Sequence, residues 1–209
     1  MNRSEAFWDR VAEKYSSKPV SDEKVYQEKL EICRDYLCAE AEVLEIGCGT
    51  GSTALALAPS VSHINAVDLS SKMIEIAIAK TREAGISNIS FGQTSVEGLK
   101  LSSGSIDAVL AMNILHLVDD PVGAIKEVHR MLKPGGVFIS STACLADRFW
   151  FLRPLLVLGR WLGFLPAISF FSRGKLSETI RDAGYDVERS YNPGGSLSLF
   201  VVARKLDPN

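Results

Sequence analysis

Glu45 stands two positions ahead of Gly47-Cys48-Gly49-Thr50-Gly51, and a second carboxylate, Asp68, closes the next apolar run, "HINAVD". A glycine-rich turn between a strand and a helix is a place to hold a nucleotide-bearing cofactor. Without a β-carbon the backbone can approach the ligand closely. A carboxylate at the end of the second strand can accept hydrogen bonds from both hydroxyls of a ribose. Two details separate the cofactors. The dinucleotide fingerprint needs its third glycine at position 52, which is Ser52 here. A pyrophosphate would also be repelled by Glu45 at close range. A cationic ligand has the opposite preference. S-adenosylmethionine carries a sulfonium and an ammonium and no phosphate, and Met73 is spaced to lie against its adenine. Glu45 and Ser52 together disfavour an NAD-dependent oxidoreductase.

Methyl transfer from a sulfonium is an in-line displacement whose leaving group is already installed, so alignment and exclusion of water are the protein's main tasks. A base is needed only where the nucleophile must lose a proton. His116, in "NILHLVDD", is the best-placed candidate, because histidine is the side chain most easily poised near neutrality. Packing within the loop is the competing role for it. His63 reads as a strand start and His129 as an exposed helix residue. Cys33, Cys38, Cys48 and Cys144 show neither metal-ligand spacing nor a disulfide framework, so no metal is expected and they read as small buried residues of a reducing compartment.

The elements that must position these groups alternate along the chain. Residues 5–16 and 22–38 carry amphipathic helical patterns, with Leu30, Cys33 and Leu37 at helical spacing. "EVLEIG", "HINAVD", "NISFGQ", "SIDAVLAMN" and "VFISSTAC" read as strands separated by helices. Ser70 or Ser71 is available to cap "SSKMIEIAIAKTREAG", which Gly85 ends. In "DDPVGAIKEVHRMLKPGG" Asp120 caps, Pro121 suits the first turn, and Val122, Ile125, Val128 and Leu132 line one face. The last two strands are joined only by "NPGGS", too short for a helical crossover, so they pair antiparallel. The expected fold is α/β: a doubly wound, Rossmann-like sheet of seven strands, the last reversed, in a single domain of 209 residues.

"VLEIGCGTG", "AVDLSSKMIEIA", "SIDAVLAMNILHLVDDP" and "EVHRMLKPGGVFI", taken in order, resemble the successive motifs of class I S-adenosylmethionine-dependent methyltransferases. They are similar in particular to the small-molecule branch with ubiquinone/menaquinone-type C-methyltransferases. The resemblance covers about residues 5–142 and, more loosely, 173–204. It implies strand order 3-2-1-4-5-7-6. It also implies that Glu45, Gly47, Cys48 and Gly49 hold the methionine end, Asp68 the ribose, and Leu69 and Met73 the adenine surroundings. Asn113 would face the methyl donor, and Tyr15, in "FWDRVAEKY", would stand near its sulfur. One departure is notable. The branch usually carries "GDA" after strand three, whereas this chain has "TSVEGL", so Ser95 replaces the aspartate that reaches the adenine amino group and Val96 follows. A hydroxyl binds there more weakly than a carboxylate.

Residues 145–172 form an unusual insert. "RFWFLRPLLVLGRWLGFLPAISFFS" holds seven of the chain's aromatic residues. It is not a good membrane span: Arg153 and Arg160 would each cost about 2.5–3.5 kcal/mol at the bilayer centre, and Pro154 and Pro166 break it. Three roles compete: a lid over an apolar substrate, a peripheral membrane contact through 149–171, and core or dimer packing, the chain being a monomer or homodimer. The first two favour a hydrophobic small-molecule substrate, such as a lipid, a quinone precursor or an aromatic metabolite. Arg153 or Arg160 would then recognise an acidic group on it.

Bulk properties narrow the classes. A net charge of −2 with a pI near 6.0 gives no general attraction to nucleic acid. Strand four ends in "NILH" rather than a proline-containing motif that grips a flipped base. No nucleic-acid partner is expected, which counts against the alternative of an RNA methyltransferase; a non-catalytic S-adenosylmethionine-binding module is the other alternative. The charged N-terminus lacks a signal-peptide core, and a cytoplasmic location follows as the expectation.

Overall fold

The computed structural model describes residues 3–161, 165, 166 and 168–206. Among them seven strands form one sheet in the order β3-β2-β1-β4-β5-β7-β6. The fold is therefore the Rossmann-like α/β arrangement expected, with β7 antiparallel to both β5 and β6. The chain forms two compact units, residues 1–99 and 100–209.

The first unit contains α1 (Arg3–Ser16), α2 (Glu23–Tyr36), β1 (Glu42–Ile46), α3 (Ser52–Leu57), β2 (His63–Asp68), α4 (Ser71–Glu83) and β3 (Ile89–Gln93). Its three strands are parallel, and the register sets Glu45 beside Ala66 and Val67 beside Gly92. Asp22 caps α2 by accepting from Val25 N at 3.0 Å. Leu30 and Cys33 are buried as their spacing implies, but Leu37 lies past the last turn as an extended C-cap residue. Ser70, not Ser71, caps α4: its Oγ accepts from Met73 N at 3.1 Å. Gly85, at φ +67, takes the left-handed conformation that ends the helix.

The second unit contains β4 (Ile106–Met112), α5 (Pro121–Met131), β5 (Leu132–Ala143), α6 (Ala146–Phe149), α7 (Arg153–Trp161), α8 (Arg173–Asp182), β6 (Tyr185–Tyr191) and β7 (Ser198–Lys205). β4 and β5 are parallel, and Phe138, Leu110 and Phe200 are wholly buried among them. Asp120 caps α5 through its Oδ1, which accepts from Gly123 N at 2.9 Å. The inward face of α5 is Ala124, Ile125, Val128 and Met131, whereas Val122 is exposed and Leu132 already opens β5. At 100° per residue, Val122 lies roughly 130° round from the centre of that face. His129 departs from expectation too: it is half-buried, its ring edge-on to Tyr185 at 4.9 Å between centroids. Cys38 is exposed, unlike the other three cysteines.

Two backbone bonds anchor the ends of the insert. Ala146 N donates to Phe171 O at 2.9 Å, and Ser169 N donates to His116 O at 2.7 Å. Among the described residues no helix is long and apolar enough to cross a membrane.

Candidate active site

The cradle in the first unit is built from backbone. Cys48 N donates to Val67 O at 3.0 Å and Gly51 N to Cys48 O at 2.9 Å, which folds the loop back over the end of β2. Gly47, Gly49 and Gly51 all take positive φ, a conformation that favours glycine. The three glycines do different work. A β-carbon on Gly51 would meet Ala77 Cβ at 3.0 Å and Leu55 Cδ1 at 3.2 Å, so this glycine serves packing. A β-carbon on Gly49 would meet nothing within 4 Å, so that side of the loop is open.

Asp68 organises the loop. Its Oδ2 accepts from Gly49 N at 2.9 Å and its Oδ1 from Ser70 N at 2.8 Å. Burial raises its pKa and these backbone donors oppose the rise. Each oxygen keeps a further lone pair, so holding the loop and accepting from ribose hydroxyls are compatible.

Glu45 is buried to 1 % exposure, its Oε2 has no partner, and burial pushes its carboxyl up to about 8. A desolvated carboxyl with one idle oxygen is neutral at pH 7 until a cation or donor arrives. That is the chemistry expected of a receptor for an ammonium, so these residues fit S-adenosylmethionine. The difference from the sequence expectation is the charge state: Glu45 waits as an acid rather than as a carboxylate.

The remaining candidates fall as follows. Cys48 is buried and its thiol pKa is raised by burial, so it offers the site backbone rather than thiolate. Leu69 is half-buried and its carbonyl accepts from Gln93 Nε2 at 3.3 Å. Met73 is buried, and its backbone N–H donates to Ser70 Oγ at 3.1 Å. Ser95 is half-buried and precedes a short 3-10 turn, Val96–Gly98, in which Val96 is buried. Tyr15 is half-exposed and edge-on to Trp8 at 6.4 Å, and desolvation followed by the charge of Asp68 raises its pKa.

Three contributors escaped the sequence reading. Asp9 on α1 accepts from Ser70 Oγ at 2.6 Å and from Lys72 N at 3.2 Å, tying α1 to the start of α4. Its partners lie some sixty residues away, so no local pattern marks it. Gln93 was visible only as a polar residue ending a strand. Tyr26 on α2 has a buried hydroxyl; burial raises its pKa, Thr53 opposes the rise, and the charge of Glu45 adds to it.

In the second unit, Asn113 follows β4 at φ +60, the one described non-glycine residue at positive φ. Its N donates to Ser141 O at 2.7 Å, and Ser141 Oγ donates to its Oδ1 at 3.3 Å. These bonds hold a conformation that costs about 1–3 kcal/mol. His116 sits in the next turn, Leu115–Leu117. Its Nδ1 is buried and unpartnered, and burial pushes its pKa down to about 4. The expectation of an imidazole poised near neutrality is therefore corrected: His116 is firmly neutral at pH 7, because no carboxylate offsets its desolvation. The side chains of Arg153 and Arg160, candidates for an acidic group, lie outside those described.

Residues 44–140 match the methyltransferase domain family. The chain is 33% identical over 162 residues to a ubiquinone biosynthesis O-methyltransferase of Paracidovorax citrulli, covering 72% of this chain and 67% of the relative. It is 36% identical over 126 residues to the uncharacterized methyltransferase YcgJ of Bacillus subtilis, covering 56% of this chain and 48% of that one. The crystal structure of YcgJ superposes with a TM-score of 0.72 over 87% of this chain and all of that one (100%), at 19% identity. The chain belongs to the S-adenosylmethionine-dependent methyltransferases. It spans about half the length of several of the curated relatives it matches.

Proposed function

We propose that this chain transfers a methyl group from S-adenosylmethionine to a hydrophobic small molecule, such as a lipid, a quinone precursor or an aromatic metabolite. The observation that carries the reading is His116. It is a neutral imidazole with an idle Nδ1, and its own carbonyl is bonded to Ser169 at the end of the apolar insert. An apolar segment tied through the backbone to the residue that carries this unpartnered imidazole nitrogen suits an acceptor molecule with a polar atom on a hydrophobic frame. Similarity to a ubiquinone biosynthesis O-methyltransferase supports the same class.

The cofactor supplies an electrophilic methyl with its leaving group in place. In this reading Glu45 receives the ammonium, losing its proton as it does so. Gly47, Gly49 and the backbone at Cys48 admit the amino-acid end, Asp68 accepts from the ribose, and Leu69, Ser95 and Val96 border the base. Tyr15 is the first unit's candidate for a place near the sulfur, and Asn113 the second unit's candidate to face the methyl donor. Where the acceptor is a hydroxyl, His116 takes its proton through Nδ1.

The test is to incubate the protein with methyl-labelled S-adenosylmethionine and extract from its own source, then partition the products. Label entering the organic phase is expected. Label found only in water-soluble metabolites or RNA overturns the substrate class, and cofactor binding without transfer points to a binding module. Replacing His116 with alanine should lower kcat by about 10²–10⁴ for a hydroxyl acceptor. Because His116 protonates only near pH 4 in the free protein, kcat/KM should show no histidine-dependent fall between pH 5 and 8. A limb near 6.5 that vanishes in H116A would refute the buried, neutral assignment.

A further inference from the structure

We propose that the insert of the second unit docks this protein on anionic lipid bilayers, lying in the interface without crossing it. Three short pieces follow one another here: α6, a 3-10 turn at Trp150–Leu152, and α7. Their large apolar side chains do not all turn inward. Trp150 is 71 % exposed, Leu155 63 %, Val157 59 % and Phe151 58 %, and Pro154 beside them is exposed too. Leu152, Leu156 and Gly159 are only partly covered, and Gly159 leaves room for Leu165, which its β-carbon would meet at 2.8 Å. That contact covers α7 only in part: Leu155 and Val157, about 200° apart around the helix, are both exposed. Four large apolar side chains clustered within eight residues are unusual on a soluble surface and mark an interaction site.

Charge selects the partner. Residues 145–175 hold five basic residues, Arg148, Arg153, Arg160, Arg173 and Lys175, against the single acid Asp147, in a chain whose net charge is −2. Asp147 is already engaged by Arg173 at 2.7 Å, and Lys175 pairs with Glu178 at 2.9 Å, so the excess rests on Arg148, Arg153 and Arg160. A second copy of this chain would bring the same positive charges face to face. A bilayer with anionic headgroups offers both requirements at once: an acyl boundary for Trp150, Phe151, Leu155 and Val157, and negative charge for a segment with this excess of basic residues. Tryptophan and arginine are the residues that favour the headgroup level. The proposal does not depend on which molecule is methylated.

The experiment is flotation of the full chain with vesicles of phosphatidylcholine alone and of phosphatidylcholine containing a third of phosphatidylglycerol. Sedimentation velocity without lipid is run in parallel. We expect flotation with the anionic vesicles, roughly tenfold or more weaker binding to the neutral ones, and loss of binding as salt is raised. The double variant Leu155→Glu/Val157→Glu should stay in the pellet fraction while binding S-adenosylmethionine as the parent does, which shows that it is folded. Arg153→Gln/Arg160→Gln should lose the preference for anionic vesicles. Absence of flotation overturns the proposal. So does equal binding to both vesicle types, or self-association through this face, seen as dimers that the Leu155→Glu/Val157→Glu variant abolishes.

Discussion

The glycine loop around residues 42–68 and the insert at 145–172 solve opposite problems. In the loop, local polar groups carry the geometry: Asp68 holds Gly49 and Ser70, Ser70 caps α4, and the strand on either side is buried. One atom is left over, Oε2 of Glu45, and it is hidden from water. In the insert the leftovers are apolar and face water: Trp150, Phe151, Leu155 and Val157. A buried polar atom without a partner costs about 1–3 kcal/mol. An exposed apolar side chain forgoes a similar gain. Each region keeps its imperfection where a ligand would relieve it, a small cation in one case and an apolar phase in the other.

The contrast is sharpest in its pH dependence. Glu45 is held near 8 in the folded protein against about 4.5 ordinarily, so the folded state keeps a proton that the unfolded chain releases. Stability from this group is complete below about pH 4.5 and is lost as pH rises towards 8. In the middle of that window the slope reaches about 1.4 kcal/mol per pH unit. Glu45→Gln should flatten it, which denaturant melts at pH 5, 6.5 and 8 would read directly. Parallel slopes in the two proteins would mean that the carboxyl is already ionised in the free protein. Next in size, Asp68→Ala removes the acceptor for two loop N–H groups and the ribose partner. Cofactor affinity should fall by about 1–3 kcal/mol, roughly fivefold to beyond a hundredfold, measured by calorimetry. Unchanged affinity would sink the assignment of Asp68.

The glycines divide the loop more finely. Gly51→Ala forces a β-carbon against Ala77 and Leu55 at a positive φ, so thermal stability should drop by about 1–3 kcal/mol. Gly49→Ala meets no neighbour and carries only the positive-φ strain, about 1–2 kcal/mol. Its larger effect should be on cofactor affinity, because the new methyl occupies the open side of the loop. If both variants lost stability and affinity in the same proportion, the division of labour would be wrong.

That division also marks what was legible in the sequence. Loop, caps and the reversed last strand follow from rules that act over a few residues: Ser70 capping Met73, Asp120 capping Gly123, a five-residue link too short for a crossover; the strand order came only with the family resemblance. Asp9 stayed invisible because its function depends on α1 lying against the start of α4, a long-range contact with no local signature. The charge states of Glu45 and His116 were misread for a related reason. Residue type sets the ordinary pKa, but desolvation, which moved both, depends on everything packed around them. Val122 failed more simply, since a spacing of three continues a stripe only while the helix still faces the same neighbour.

The smallest effect tests the other half of the comparison. Core packing is one of the three roles that the sequence leaves open for the insert, and under it burial would make Leu155→Ser cost several kcal/mol. In the structure Leu155 is mostly exposed, and a substitution at such a position changes stability by less than about 0.5 kcal/mol. The same change at Leu110, wholly buried in β4, should be severely destabilising, so the pair is its own control for the assay. A large loss at Leu155 in the absence of lipid would mean that the insert packs against protein in solution, and the face assigned to a bilayer would not be free to meet one. A near-silent Leu155→Ser that nonetheless weakens vesicle binding would show that this leucine's hydrophobicity is spent on the interface and not on the fold.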